Sequence, residues 1–84
     1  MVDREKSVSV IGLGYIGLPT AALLASKGYM VKGMDINEHA VETINKGEIH
    51  IVEPDLDAYV RSAVANGKLK AYSEVQAGDI YIIC

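Results

Sequence analysis

The chain has 84 residues, half of them hydrophobic, with a formal net charge of -3 and a single cysteine. That length sits at the low end of domain sizes and allows one small core. The weakly acidic balance leaves no basic footprint for nucleic acid, and the lone Cys84 excludes an internal disulfide and suits a reducing, cytoplasmic setting.

Met1 to Lys6 is polar and reads as a frayed start. Ser7–Ile11 is short and rich in β-branched residues, the pattern of a strand covered on both faces. Gly12-Leu13-Gly14-Tyr15-Ile16-Gly17 follows, and residues 18–27 then read as a helix with Ala21, Ala22, Leu23, Leu24 and Ala25, stopped by Gly28. Pro19 falls in the first helical turn, where its missing N–H has no helical partner to lose. Residues 7–26 carry no charge and follow Arg4 and Lys6, a superficial likeness to a secretory leader or membrane span. Three glycines and a proline at turn positions argue against that, as do the acids Asp3 and Glu5 in the leader and the acid-ended strand that follows.

That strand spans residues 29–34 and ends at Asp35, close to the roughly 20-residue spacing from the glycines that marks a dinucleotide fingerprint. In this reading Gly12 makes the tight turn, Gly14 lets the backbone approach a pyrophosphate, and Gly17 lets the helix lie against the strand. The helix N-terminus then points its free N–H groups and positive dipole end at the phosphates. Three such glycines also occur in ordinary loops, but here strand, helix and acidic strand end are all in place. The expected cofactor-binding set is therefore Gly12, Gly14, Tyr15, Ile16, Gly17 and Asp35. A carboxylate at position 35 accepts hydrogen bonds from a ribose 2′-hydroxyl and repels a 2′-phosphate, and Ile36, Asn37 and Glu38 supply no cation, so the expected cofactor is NAD rather than NADP.

Asn37 is expected to cap a helix over residues 38–46 with Ala40, Val41 and Ile44 inward; its alternative place is beside the adenosine. Residues 48–54 form a loop more apolar than a loop requires, which invites a functional role. A third helix is expected from Pro54 or Asp55 to Asn66, with Leu56, Tyr59, Val60, Ala63 and Val64 as one buried stripe. Residues 69–72 read as a strand, 73–77 as a turn or single helical turn, and 79–84 as a fourth strand that buries Cys84. His39 on a helix surface and His50 in the loop are too isolated for a metal site, and no catalytic residue is expected. The resulting fold class is α/β: an incomplete Rossmann-like parallel sheet of about four strands with flanking helices, in the order 3-2-1-4, whose first and fourth strands flank the switch point where ligands bind. There are no repeats, low-complexity tracts or linkers, and a chain ending on an apolar strand is expected to be the N-terminal piece of a longer protein.

Gly12 to Pro19 followed by Asp35-Ile36-Asn37 resembles the N-terminal NAD-binding domain of the UDP-glucose/GDP-mannose dehydrogenase family. The run from Ile44 to Leu56 is more specific and resembles the branch acting on UDP-N-acetylmannosamine, in which Asp55 stands where the wider family has Gly. Where some UDP-glucose enzymes carry an arginine over the adenosine, this chain has Ala40. The resemblance covers residues 7–84 and implies oxidation of a UDP-sugar C6 alcohol to a carboxylate by two NAD, through a cysteine thiohemiacetal and a thioester. It implies that the substrate and C-terminal domains lie outside residues 1–84, that Cys84 is not the nucleophile, that the 84-residue chain alone is inert, and that the full protein is a cytoplasmic homo-oligomer without nucleic-acid or membrane partners. Two other readings stand beside it: the cofactor domain of a hydroxyacid or sugar-phosphate dehydrogenase, against which residues 48–56 argue, and a stand-alone NAD(H)-binding or sensing module.

Overall fold

The computed structural model describes residues 6–84, so the expected frayed start falls, Lys6 apart, outside the described residues. The elements are β1 (Ser7–Ile11), α1 (Gly17–Ser26), β2 (Met30–Met34), α2 (Glu38–Asn45), α3 (Leu56–Ala65), β3 (Leu69–Tyr72) and β4 (Ile80–Ile83). The strands form one parallel sheet in the order β3-β2-β1-β4, as expected.

Strand alternation separates the two faces of this sheet. Val8, Val31 and Leu69 lie in register on one face, as do Val10, Gly33 and Ala71, and this face is buried beneath Leu18, Ala21, Ala22 and Ala25 of α1 and Leu56, Val60 and Ala63 of α3. The small alanines of α1 let its backbone come close to the sheet. On the other face Ser9 is buried by the segment joining β3 to β4: its hydroxyl donates to the Gln76 carbonyl at 2.7 Å, and Lys32 Nζ donates to the Ala77 carbonyl at 2.9 Å. β1 is thus covered on both faces, but by helices on one side and by an extended connection on the other. Residues 73–77 contain no helical turn, because those side-chain contacts hold the connection flat against the sheet.

Two asparagine side chains fix the ends of α2. Asn37 Oδ1 accepts from the Ala40 N–H at 3.2 Å, the expected cap. Asn45 Nδ2 donates to the Ala71 carbonyl at 2.9 Å while its Oδ1 accepts from the Ala71 N–H at 2.8 Å, so one amide occupies the outer edge of β3 as a neighbouring strand would.

The stripe on α3 is narrower than expected. Leu56, Val60 and Ala63 are buried, whereas Tyr59 is 49% exposed and Val64 only partly buried, since both sit on the flanks of the helical face that meets the sheet. Val41 of α2 is likewise only partly buried. α3 begins at Leu56, and Asp55 before it has φ 66°, the one positive φ among the described non-glycine residues. Asp adopts this left-handed conformation more readily than most residues but less readily than Gly. Asp55→Gly is therefore expected to raise stability by about 0.5–1 kcal/mol after the added freedom of Gly in the unfolded chain is counted. Asp55→Val should lower it, and thermal melts of the two variants that failed to diverge in this order would contradict the assignment. No helix of the described residues is long and apolar enough to cross a membrane.

Candidate functional site

The carboxyl ends of β1, β2 and β4 meet at the turn 12–16, from which α1 departs. Gly12 has φ 97°, its N–H donates to the Met34 carbonyl at 2.8 Å, and a Cβ there would lie 2.6 Å from the Cys84 carbonyl oxygen. The Cys84 N–H in turn donates to the Ile11 carbonyl at 2.8 Å, so the turn is bound to strands on both sides. A Cβ on Gly17 would sit 1.6 Å from the Gly12 carbonyl oxygen, which means that α1 starts against the turn only because position 17 has no side chain. Gly14 differs from both: it is exposed, its φ is not positive, and no atom lies within 4 Å of where its Cβ would stand. The fold therefore has no need of glycine at position 14, and what its absent side chain leaves is open space on the crevice.

The helix beyond the turn has no capping side chain and no acid in its first turn, so among the described residues neither a cap nor a first-turn acid offsets the positive end of its dipole. Two hollows meet at Gly12. One, of about 260 Å³, is lined by Gly14, Tyr15, Ile16, Gly17 and Cys84, and the other, of about 240 Å³, by Ile11, Met34, Asp35 and Ile36. All six expected cofactor residues border this crevice. Tyr15 and Ile16 are 67% and 73% exposed at its rim. A separate groove between α1 and α3, lined by Pro19, Ala22, Leu23, Pro54 and Tyr59, has Glu53 as its one carboxylate.

Asp35 sits across Gly12 from the helix. Its Oδ2 accepts from the Leu13 N–H at 2.9 Å and its Oδ1 from the Asn37 N–H at 2.9 Å. Partial burial pushes its pKa up, but the N–H groups of Asn37 and Leu13, with the His50 ring and the Ile36 N–H behind them, outweigh that and hold it below the ordinary carboxylate value. The group is then an ionised, acceptor-only carboxylate at neutral pH, with lone pairs left for two hydroxyl donors. Ile36 beside it is 86% exposed, and neither Asn37 nor Glu38 brings a positive charge.

The remaining residues divide clearly. Asn37 spends its side-chain oxygen on the α2 cap rather than on the crevice. His39 is exposed on α2, and His50 lies in the loop with Nδ1 buried and unpartnered. Among the described residues no three His, Cys, Asp or Glu side chains are grouped to hold a metal. Cys84 is exposed, not buried: it lies one residue past β4, and its side chain borders the crevice instead of entering the core. Two residues at the site were not singled out from the sequence, Leu13 and Gly33. The available signal was a glycine inside a strand, which often marks a close approach by another group.

Comparison with known proteins gives a consistent picture. Residues 6–84 match the family model of the UDP-glucose/GDP-mannose dehydrogenase family, NAD binding domain. The chain is 60% identical over 78 residues to a UDP-N-acetyl-D-mannosamine dehydrogenase of Yersinia pestis, covering 93% of this chain and 19% of that one. It is 59% identical over 78 residues to an NDP-N-acetyl-D-galactosaminuronic acid dehydrogenase of Ralstonia nicotianae, covering 93% and 18%. The solved UDP-N-acetyl-mannosamine dehydrogenase of Staphylococcus aureus superposes with a TM-score of 0.89 at 40% identity, over 93% of this chain and 19% of that one. The chain thus spans about one fifth of the length of the relatives it matches.

Proposed function

The chain belongs to the UDP-glucose/GDP-mannose dehydrogenase family, within its NAD-binding domain, and on that premise we propose that residues 1–84 are the N-terminal NAD-holding part of a nucleotide-sugar 6-dehydrogenase acting on UDP-N-acetylmannosamine. The observation that carries the site is Gly14: a glycine that neither backbone angle nor neighbour requires, standing open on the crevice beside an uncapped helix N-terminus. In this reading the turn Gly12 to Gly17 and the start of α1 hold the pyrophosphate, and Asp35 holds the adenosine ribose through its hydroxyls. NAD, when bound, supplies the hydride acceptor. The chain's own residues bind and orient it: Asp35 fixes the ribose end, and the turn fixes the phosphates. The sugar site, the catalytic groups and homo-oligomeric assembly belong to segments outside residues 1–84 of a cytoplasmic protein.

The test is NADH formation by the native protein from UDP-N-acetylmannosamine and NAD, followed by absorbance, with two NADH per sugar carried to the carboxylate. The relative of Ralstonia nicotianae, at nearly equal identity, carries a galacto-sugar in its name, so the assay is run in parallel with the galacto-configured nucleotide. NADH from that nucleotide alone would replace the sugar; NADH from neither, with no NAD binding, would overturn the reading.

A further inference from the structure

Leu13 lies between two exposed or half-exposed glycines of the turn and is followed by exposed Tyr15 and Ile16, yet its own side chain is 0% exposed. It is buried over β2. A Cβ on Gly33 would lie 2.8 and 2.9 Å from the two terminal carbons of Leu13 and 3.4 Å from its Cγ. Gly33 does not have a positive φ, and it takes its regular place in the sheet between Val10 and Ala71. Backbone conformation therefore makes no demand for glycine there, and glycine inside a strand weakens it. Space makes the demand: Leu13 occupies the volume where a side chain of residue 33 would be.

We propose that Gly33 is a positioning residue for the cofactor turn. Its missing side chain opens a socket in the sheet, Leu13 plugs into that socket, and the plug holds the turn so that the Leu13 N–H reaches Asp35, which stands two residues beyond Gly33 in the same segment. One stretch, 33–35, thus supplies both the socket and the carboxylate that fix the turn. The turn is then set before NAD arrives, and binding does not have to order it. This inference rests on the turn being the NAD site, as proposed above.

The test exchanges volume across the contact. Gly33→Val adds three carbons and suits a strand, while Leu13→Ala removes three. Two readouts are taken on each variant and on the double variant: NAD affinity by titration, and hydrogen-exchange protection of the amide of residue 13, which needs no NAD. Gly33→Val alone is expected to weaken NAD binding by about tenfold or more, equivalent to about 1.4 kcal/mol, and to expose the Leu13 amide to exchange. The double variant is expected to recover both, because the valine introduced at position 33 fills the socket that the shortened side chain at position 13 vacates. Should Gly33→Val fail to fold by circular dichroism, Gly33→Ala carries the same readouts with one added methyl. Wild-type affinity and protection in the single variant, or no recovery in the double, would overturn the inference. Absence of NAD binding by the wild-type protein would instead overturn the cofactor reading, and the exchange data would still decide whether the socket holds the turn.

Discussion

Gly17→Ala is expected to destabilise the protein by about 3 kcal/mol or more, at the upper end of what overpacking costs. The added methyl would start 1.6 Å from the Gly12 carbonyl oxygen and has to move about 1.4 Å further away to reach the 3.0 Å that real contacts keep. Neither partner can give way cheaply, since both are backbone. The turn is tied by the Gly12 N–H to Met34 and by the Leu13 N–H to Asp35, and α1 is seated on the sheet through Leu18 and Ala21, both 0% exposed. For a chain of this size total stability is on the order of 4–13 kcal/mol, so the melting temperature should fall by roughly 12 °C or more. Gly14→Ala is the control with the opposite profile. Nothing stands within 4 Å of its Cβ position, so stability should stay within about 0.5 kcal/mol of wild type, while NAD affinity falls because the methyl enters the space assigned to the pyrophosphate. Thermal melts and NAD titrations on the two variants separate the roles. Equal melting temperatures for Gly17→Ala and wild type would mean that the turn and helix are not in contact, and unchanged affinity in Gly14→Ala would remove the phosphates from this crevice.

Asp35→Ala should weaken NAD binding by about 10- to 100-fold, the range expected on losing a charge-assisted hydrogen bond and an anchor of the turn together. The preference for NAD over NADP should shrink at the same time, because the carboxylate that repels a 2′-phosphate is gone. NADP binding as tightly as NAD to the wild-type protein would refute this role. The same carboxylate leaves a mark on stability. Its pKa is held below the ordinary value in the folded state, so ionised Asp35 contributes stability that is present above its unfolded pKa and is lost as pH falls through the folded one. Asp35→Asn keeps the shape and removes that titration. Denaturant midpoints of wild type and Asp35→Asn should therefore differ at neutral pH and converge in acid. Asp79 is also held below its ordinary value, chiefly by the Ser7 N–H, but it is common to both proteins and drops out of the difference. Parallel curves at every pH would show that the Leu13 and Asn37 N–H groups do not depend on the charge.

Much of this architecture follows from local pattern. The β-branched run 7–11, the glycine turn, the alanine-rich helix and the acid at 35 each carry their own backbone preference, and right-handed crossovers between parallel strands leave few strand orders besides β3-β2-β1-β4. Asn37 was legible as a cap because capping is a contact over three residues. The six residues that border the crevice could be named together for the same reason: the turn is contiguous, and Asp35 stands at a spacing that one helix and one strand determine. Contacts between distant positions were not legible in this way. Asn45 and Ala71 lie 26 residues apart, and the amide that covers β3 depends on where α2 comes to rest. Tyr59 shares the helical period of the core stripe but falls on the flank that α1 and the sheet leave uncovered. Cys84 reads as a core strand residue, yet it lies one residue past β4 and borders the crevice. Leu13 and Gly33 show the division most plainly. Each residue's identity is printed in the chain, but a free volume exists only between two segments already packed, and it was the packing of the turn onto β2 that made Gly33 a requirement rather than a weakness in a strand.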